Sequence, residues 1–310
     1  MKKTVALLLC LMCCFAAQAE KRAVKIVTTV FPIYDWTREI AGDDVEIEML
    51  LDTGVDLHSF KPTAQDILNI GTCDCFIYVG GESDQWVEDA LSSAMNPQLK
   101  AINLLDVLGG RVKQEELVEG MEGEEEEEGE EGEADEHVWL SLRNAEFLTA
   151  AIAEALGEID PDNQAAYAQR AEQYCEELNA LDARYADAVD QARFDTLLFG
   201  DRFPFRYLVD DYGLNYYAAF SGCSAETEAS FSTVLFLAQK VDELGLKTVV
   251  KVESSDGRIA ETIVNSTQQK DQNIVTLNAM QTITAQDVQE GASYLDIMTR
   301  NLDALKEALN

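Results

Sequence analysis

"AVKIVTTVFPIYDWTREIAGDDVEIEMLL", residues 23–51, carries the fold in miniature. Its opening, "AVKIVTTVF", is an apolar, β-branched run of the kind that fills a parallel strand buried on both faces. "IYDWTREIAG" then reads as a helix stopped by Gly42. "VEIEMLL" is a second strand. A strand, a helix and a strand in so short a span make a βαβ unit, which forces the two strands to be parallel.

The same alternation runs outward from this unit. "TAQDILNIG" is a helix with Thr63 as its N-cap after Pro62; "CFIYVGG" is a strand, "DQWVEDALSSA" a helix and "KAINLL" a fourth strand. Two helices follow the interruption described below, "RNAEFLTAAIAEALGEI" and then, after Asp160-Pro161-Asp162, a run of roughly thirty residues that would measure about 45 Å. A helix of that length can join two lobes as a rigid spine. The βα pattern then resumes: "FDTLLFG" (strand), "FPFRYLVDDYG" (helix entered at Pro204 and closed by Gly213), "NYYAAF", "SFSTVLFLAQKVDELG", "KTVVKV", "GRIAETIVNST", "NIVTLN" and a closing helix, "ASYLDIMTRNLDALKEAL". The expected fold is α/β: two lobes, each a central parallel sheet flanked by helices, joined by a long rigid helix, with a ligand in the interlobe cleft beyond the strand C-termini. The expected boundaries are 24–142 for the first lobe, 143–192 for the connecting helices and 193–310 for the second lobe.

The chain has 310 residues and a formal net charge of −35. That surface repels phosphates and argues against nucleic acid, while it suits cations. The first residues, with Lys2 and Lys3 before an apolar run and Ala17-Gln18-Ala19 as a cleavage site, read as a signal peptide over 1–19. Export to the periplasm or the extracellular face of the membrane is expected, and lipid attachment at Cys13 or Cys14 is the competing reading. Four of the seven cysteines lie beyond the signal: Cys73, Cys75, Cys175 and Cys223. Their spacing fits no zinc-finger pattern, and sequence alone chooses no disulfide.

The interruption is acidic. From Gly120 to Glu136 only Met121 and Ala134 are apolar, and charge repulsion with glycine entropy predicts a disordered loop over 115–136. It ends at His137, one of only two histidines. The other, His58, lies in "DLHSFKPTAQD", directly after a predicted strand. Both fall at the edge of the first lobe where the cleft is expected, and imidazole is the commonest metal ligand at neutral pH.

"VTTVFPIYDW", "DLHSFKPTAQD" and "DEHVWLS" together resemble the metal-binding extracytoplasmic subunits of zinc or manganese ABC importers. "GDRFPFRYLVDDYGL", "AETEAS", "KTVVKVESSDGRIAETI" and "VTLN" follow in the family's order, so the likeness covers essentially the whole mature chain. The resemblance implies a non-enzymatic subunit, expected to be a monomer, that holds a divalent ion in the cleft and hands it to a membrane permease. It implies His58 and His137 as the first two ligands. The third ligand position, a His or Glu in relatives, falls on Gly200, with Asp201 next in line; the fourth falls on Asn278. Glu253 is a reserve ligand at a strand end, and Glu226 and Glu228 are further candidates. Two imidazoles with one or two oxygens favour Zn²⁺, with Mn²⁺ next. The acidic loop would act as a cation funnel beside the site. A chelate-binding protein or a surface adhesin of the same fold is the alternative. A metallohydrolase is disfavoured, since no H-E-x-x-H, G-x-S-x-G or phosphate loop is present.

Overall fold

The structure is a computed structural model that describes residues 22–121, 133–224 and 228–310. The expected signal segment, Cys13 and Cys14, the centre of the acidic tract and Glu226 lie outside the described residues.

In the first lobe the elements are β1 (Val24–Thr28), α1 (Phe31–Ala41), β2 (Val45–Met49), α2 (Ala64–Thr72), β3 (Cys75–Tyr78), α3 (Trp86–Ser92), β4 (Lys100–Asn103) and α4 (Leu104–Leu108). The sheet runs β2-β1-β3-β4 and every pairing is parallel, from Val24 opposite Val45 to Tyr78 opposite Asn103. Helix α1 buries Phe31, Ile33, Trp36 and Ile40, and ends where Gly42 turns to a φ of 60°. Helix α2 begins in a capping box: Thr63 Oγ1 accepts from the Asp66 amide, and the Asp66 carboxylate accepts from the Thr63 amide.

Helices α5 (Leu142–Ile159) and α6 (Gln164–Asp190) connect the lobes. The 27 residues of α6 span about 40 Å. Its buried stripe, Tyr167, Ala171, Tyr174, Leu178, Leu181 and Tyr185, repeats at alternating spacings of four and three and so keeps to one face. Near its start Arg170 donates to the carbonyls of Ile40 (2.5 Å) and Ala41 (2.8 Å) of the first lobe. Near its end the Tyr185 hydroxyl donates to the Met298 carbonyl of the second, at 2.6 Å. The helix is thereby pinned to both lobes.

The second lobe contains β5 (Thr196–Phe203), α7 (Arg206–Tyr212), β6 (Asn215–Ser221), α8 (Phe231–Leu244), β7 (Thr248–Val252), α9 (Arg258–Ser266), β8 (Asn273–Leu277), α10 (Ala285–Gln289) and α11 (Tyr294–Ala308). Its sheet, β6-β5-β7-β8, is also all parallel and repeats the strand order of the first. One hydrophobic core runs through the first lobe, the connecting helices and the inner side of the second lobe; a smaller one lies under α8 and α9.

Two local differences from the sequence reading bear on function. Strand β5 continues past Gly200 to Phe203, with an irregularity between Phe199 and Arg202, and α7 starts at Arg206 rather than at Pro204. The short helix α10, capped by Thr284 and Asp287, is an addition. The ends of the acidic tract pair with each other: the Glu115 amide donates to the Glu133 carbonyl (2.8 Å) and the Asp135 amide to the Lys113 carbonyl (2.9 Å).

Candidate metal centre

Both histidines sit in loops at short 3₁₀ turns. His58 lies in a 3₁₀ turn, Leu57–Ser59, that follows β2, and His137 immediately precedes another, Val138–Leu140. Each ring is held by its Nδ1. That of His58 meets Ser83 Oγ at 2.8 Å and lies 3.5 Å from Glu136 Oε2. That of His137 lies 3.0 Å from Asp135 Oδ1, which also accepts the His137 amide at 2.8 Å. A carboxylate on Nδ1 fixes the tautomer and leaves the Nε2 lone pair free, which is the usual way proteins orient a metal-binding imidazole.

The two Nε2 atoms face each other at 3.3 Å. Neutral imidazoles held in this way bring two lone pairs together, an arrangement that repels unless a cation or a proton lies between them. Zinc bound at 2.0–2.1 Å with tetrahedral angles would set two nitrogens about 3.3 Å apart. The Gln281 amide, arriving from the loop after β8, completes the contact at 2.9 Å from His137 Nε2 and 3.5 Å from His58 Nε2.

The surroundings favour a bound cation. Burial first, and then the facing His137, pushes the His58 pKa down to about 3, so that ring is neutral at pH 7. For His137 burial works against the charged form, but the Asp135 carboxylate, with Glu136 and Glu115, outweighs it and the pKa is raised. Glu136 is raised too, by burial, although Ser83 donates its amide to Oε1 at 2.8 Å; Oε2 has no hydrogen-bond partner. The loop after β3 wraps this carboxylate closely: at Gly81, φ 82°, a Cβ would overlap it.

Asp84 closes the same loop by accepting the Gly80 amide at 2.9 Å, and burial raises its pKa to about 7. Its unfolded value is 3.8, so between pH 4 and 7 the folded state binds the extra proton and stability falls as pH rises through this window. Asp84→Asn removes that cost. Urea unfolding should show the variant gaining up to a few kcal/mol on wild type between pH 5 and pH 8. A difference independent of pH would show that Asp84 ionises freely in the fold.

The predicted second-lobe residues occupy other posts. Asp201 lies within β5, 7% exposed, and its two oxygens accept from the amides of Arg202 (2.9 Å) and Val252 (3.2 Å). Glu253 accepts from the amides of Ala279 (2.7 Å) and Gln281 (3.1 Å), which shapes the loop that carries Gln281. Asn278 Oδ1 accepts from the Met280 amide at 2.7 Å, and its main chain is clasped by the Asn301 amide side chain. Glu228 is exposed. At Gly200 a Cβ would stand 2.6 Å from the Ala260 Cα of α9, so this position faces a helix backbone and not the histidines.

What the second lobe does bring near the histidines is Gln281 and Cys223. Ligand atoms of His58, His137 and Cys223 lie within 4.8 Å of one another, the one such trio of His, Cys, Asp and Glu side chains among the described residues. Burial, then Glu115, holds the Cys223 thiol well above its ordinary pKa. All four described cysteines are free. No spacing rule announces Gln281, three residues past Asn278, or Cys223, whose approach depends on where β6 ends. Arg202 bridges the cleft to Asp56 at 3.0 Å, and Asp56 in turn accepts the His58 amide at 3.0 Å.

The family model described as the zinc-uptake complex component A, periplasmic, matches residues 26–308. The chain belongs to this ZnuA family. Among ZnuA relatives, the zinc-binding lipoprotein AdcA of Streptococcus pneumoniae is 31% identical over 98% of this chain. This chain spans 61% of AdcA's length. The high-affinity zinc uptake system protein ZnuA of Bacillus subtilis is 29% identical over 95% of this chain and 90% of its own. Solved structures agree with the ZnuA fold. The metal-dependent lipoprotein YcdH of B. subtilis superposes with a TM-score of 0.76 at 27% identity, covering 92% of this chain and 99% of that one. The Zn(II)-bound ZnuA-like domain of S. pneumoniae AdcA gives 0.72 at 28% identity, over 93% and 99%.

Proposed function

We propose that this protein is the extracytoplasmic solute-binding subunit of an ABC importer: it captures one Zn²⁺ in the interlobe cleft and delivers it to a membrane permease, without catalysing a reaction. His58 and His137 hold the ion through their Nε2 atoms. A half-turn of the Gln281 amide places its oxygen where the nitrogen now meets them. The observation that carries the reading is the pair of Nε2 atoms facing each other at 3.3 Å, each imidazole steered from behind by an oxygen partner. The zinc-related names of the family and of its relatives support the choice of ion, as do the two nitrogens, which zinc accepts more readily than the oxygen-seeking Mn²⁺. Family membership supports action outside the cytoplasm, and among the described residues no helix is long and apolar enough to cross a membrane.

Isothermal calorimetry with the purified chain should give one Zn²⁺ per molecule, bound more tightly than Mn²⁺. No heat with either free ion would contradict the reading and favour a chelated metal as the ligand.

A further inference from the structure

We propose that Cys223 is itself a zinc ligand, a thiolate supplied by the second lobe. The proposal rests on the zinc site described above and names one more residue of it. Three observations converge. The sulfur belongs to the only tight trio of potential ligands among the described residues, and the other two members are the facing histidines. The residue before it is Gly222, where a Cβ would lie 2.9 Å from the Phe203 carbonyl and 3.1 Å from His137 Cε1; the missing side chain is what lets this loop lie against the imidazole. The loop is also fixed in place, because Cys223 donates its amide to Glu115 Oε1 at 2.9 Å, and Glu115 is held by the paired ends of the acidic tract.

A fourth coordinating group makes chemical sense here. Two imidazoles and one amide oxygen leave a tetrahedral zinc one ligand short. With Zn–N near 2.05 Å and Zn–S near 2.3 Å, nitrogen and sulfur would stand about 3.6 Å apart, so the thiol has to close in by roughly an ångström. On binding, the S–H bond is exchanged for a Zn–S bond and the proton passes to water. The resulting N₂SO donor set favours thiophilic Zn²⁺, Co²⁺ and Cd²⁺ over Mn²⁺.

The test uses the full mature chain loaded with one equivalent of Co²⁺, and separately of Zn²⁺. The cobalt form should show a near-ultraviolet thiolate-to-metal charge-transfer band that disappears in Cys223→Ser, and the substitution should weaken Zn²⁺ binding by about tenfold or more. Zinc-edge X-ray absorption on the unsubstituted protein should find one sulfur at about 2.3 Å, a readout that does not depend on how the variant folds. One bound metal per chain with no charge-transfer band and no sulfur neighbour would overturn the role of Cys223 and leave the histidine site standing. No bound metal at all would overturn both.

Discussion

Replacing His137 by alanine should weaken Zn²⁺ binding by more than about 100-fold, since removing an oriented ligand costs more than the 10–100-fold lost with the partner that orients one. The ring is fully buried. Its removal deletes one of the two facing nitrogens and leaves Asp135, itself 2% exposed, with only the main-chain amide of residue 137 on the oxygen that now holds the imidazole. The lost hydrogen bond costs about 0.5–1.5 kcal/mol, so the metal-free variant should also unfold at lower urea. His58→Ala should lose zinc affinity by a similar factor with a smaller loss of stability, because its side chain is 14% exposed and Ser83, its nearest partner, is only half-buried. Calorimetry and urea titration on both variants separate the two effects. Unchanged zinc affinity in either variant would remove that histidine from the site.

Gly200→His is the second large effect, and its direction is opposite to the one the resemblance implies for this position. If the chain had merely lost a ligand at this position, restoring histidine should tighten zinc binding. The packing of β5 against α9 forbids it: the first side-chain atom alone would stand 2.6 Å from the Ala260 Cα and 2.9 Å from its nitrogen, and neither is the end of a flexible side chain that could swing aside. Overpacking of this kind costs about 1–3 kcal/mol and occasionally more, so the variant should be markedly less stable and gain no affinity. A stable variant that binds zinc more tightly would show that β5 can turn this residue toward the cleft.

The elements that could be read from sequence were those whose local chemistry agrees with their place in the fold. The segment from Val24 to Met49 combines a β-branched run, an amphipathic turn-rich helix and a stopping glycine, and it folds as β1, α1 and β2. Thr63 and Asp66 spell out the start of α2 in four residues. The end of β5 was obscure because Gly200-Asp201-Arg202 looks like a turn. It is strand because Asp201 replaces missing ladder contacts by accepting two main-chain amides, and because Phe203 stacks on Tyr216 with ring centres 3.7 Å apart. The same holds for the site. His58 and His137 stand out by their scarcity and by following strands. The second-lobe partners do not, because their approach is set by loop paths: Glu253, chosen for its place at a strand end, and Asn278, implied by the resemblance, spend their oxygens on main-chain amides, and the loop they shape delivers Gln281 instead.

Zinc capture by this protein depends on what occupies the gap between the two facing nitrogens. Anomalous diffraction at the zinc edge, from crystals of the mature chain grown with one equivalent of Zn²⁺, measures this directly. A single peak at about 2.0–2.1 Å from both His58 Nε2 and His137 Nε2 is the predicted result. A peak elsewhere on the acidic surface, with the two rings still facing each other unbridged, would contradict it.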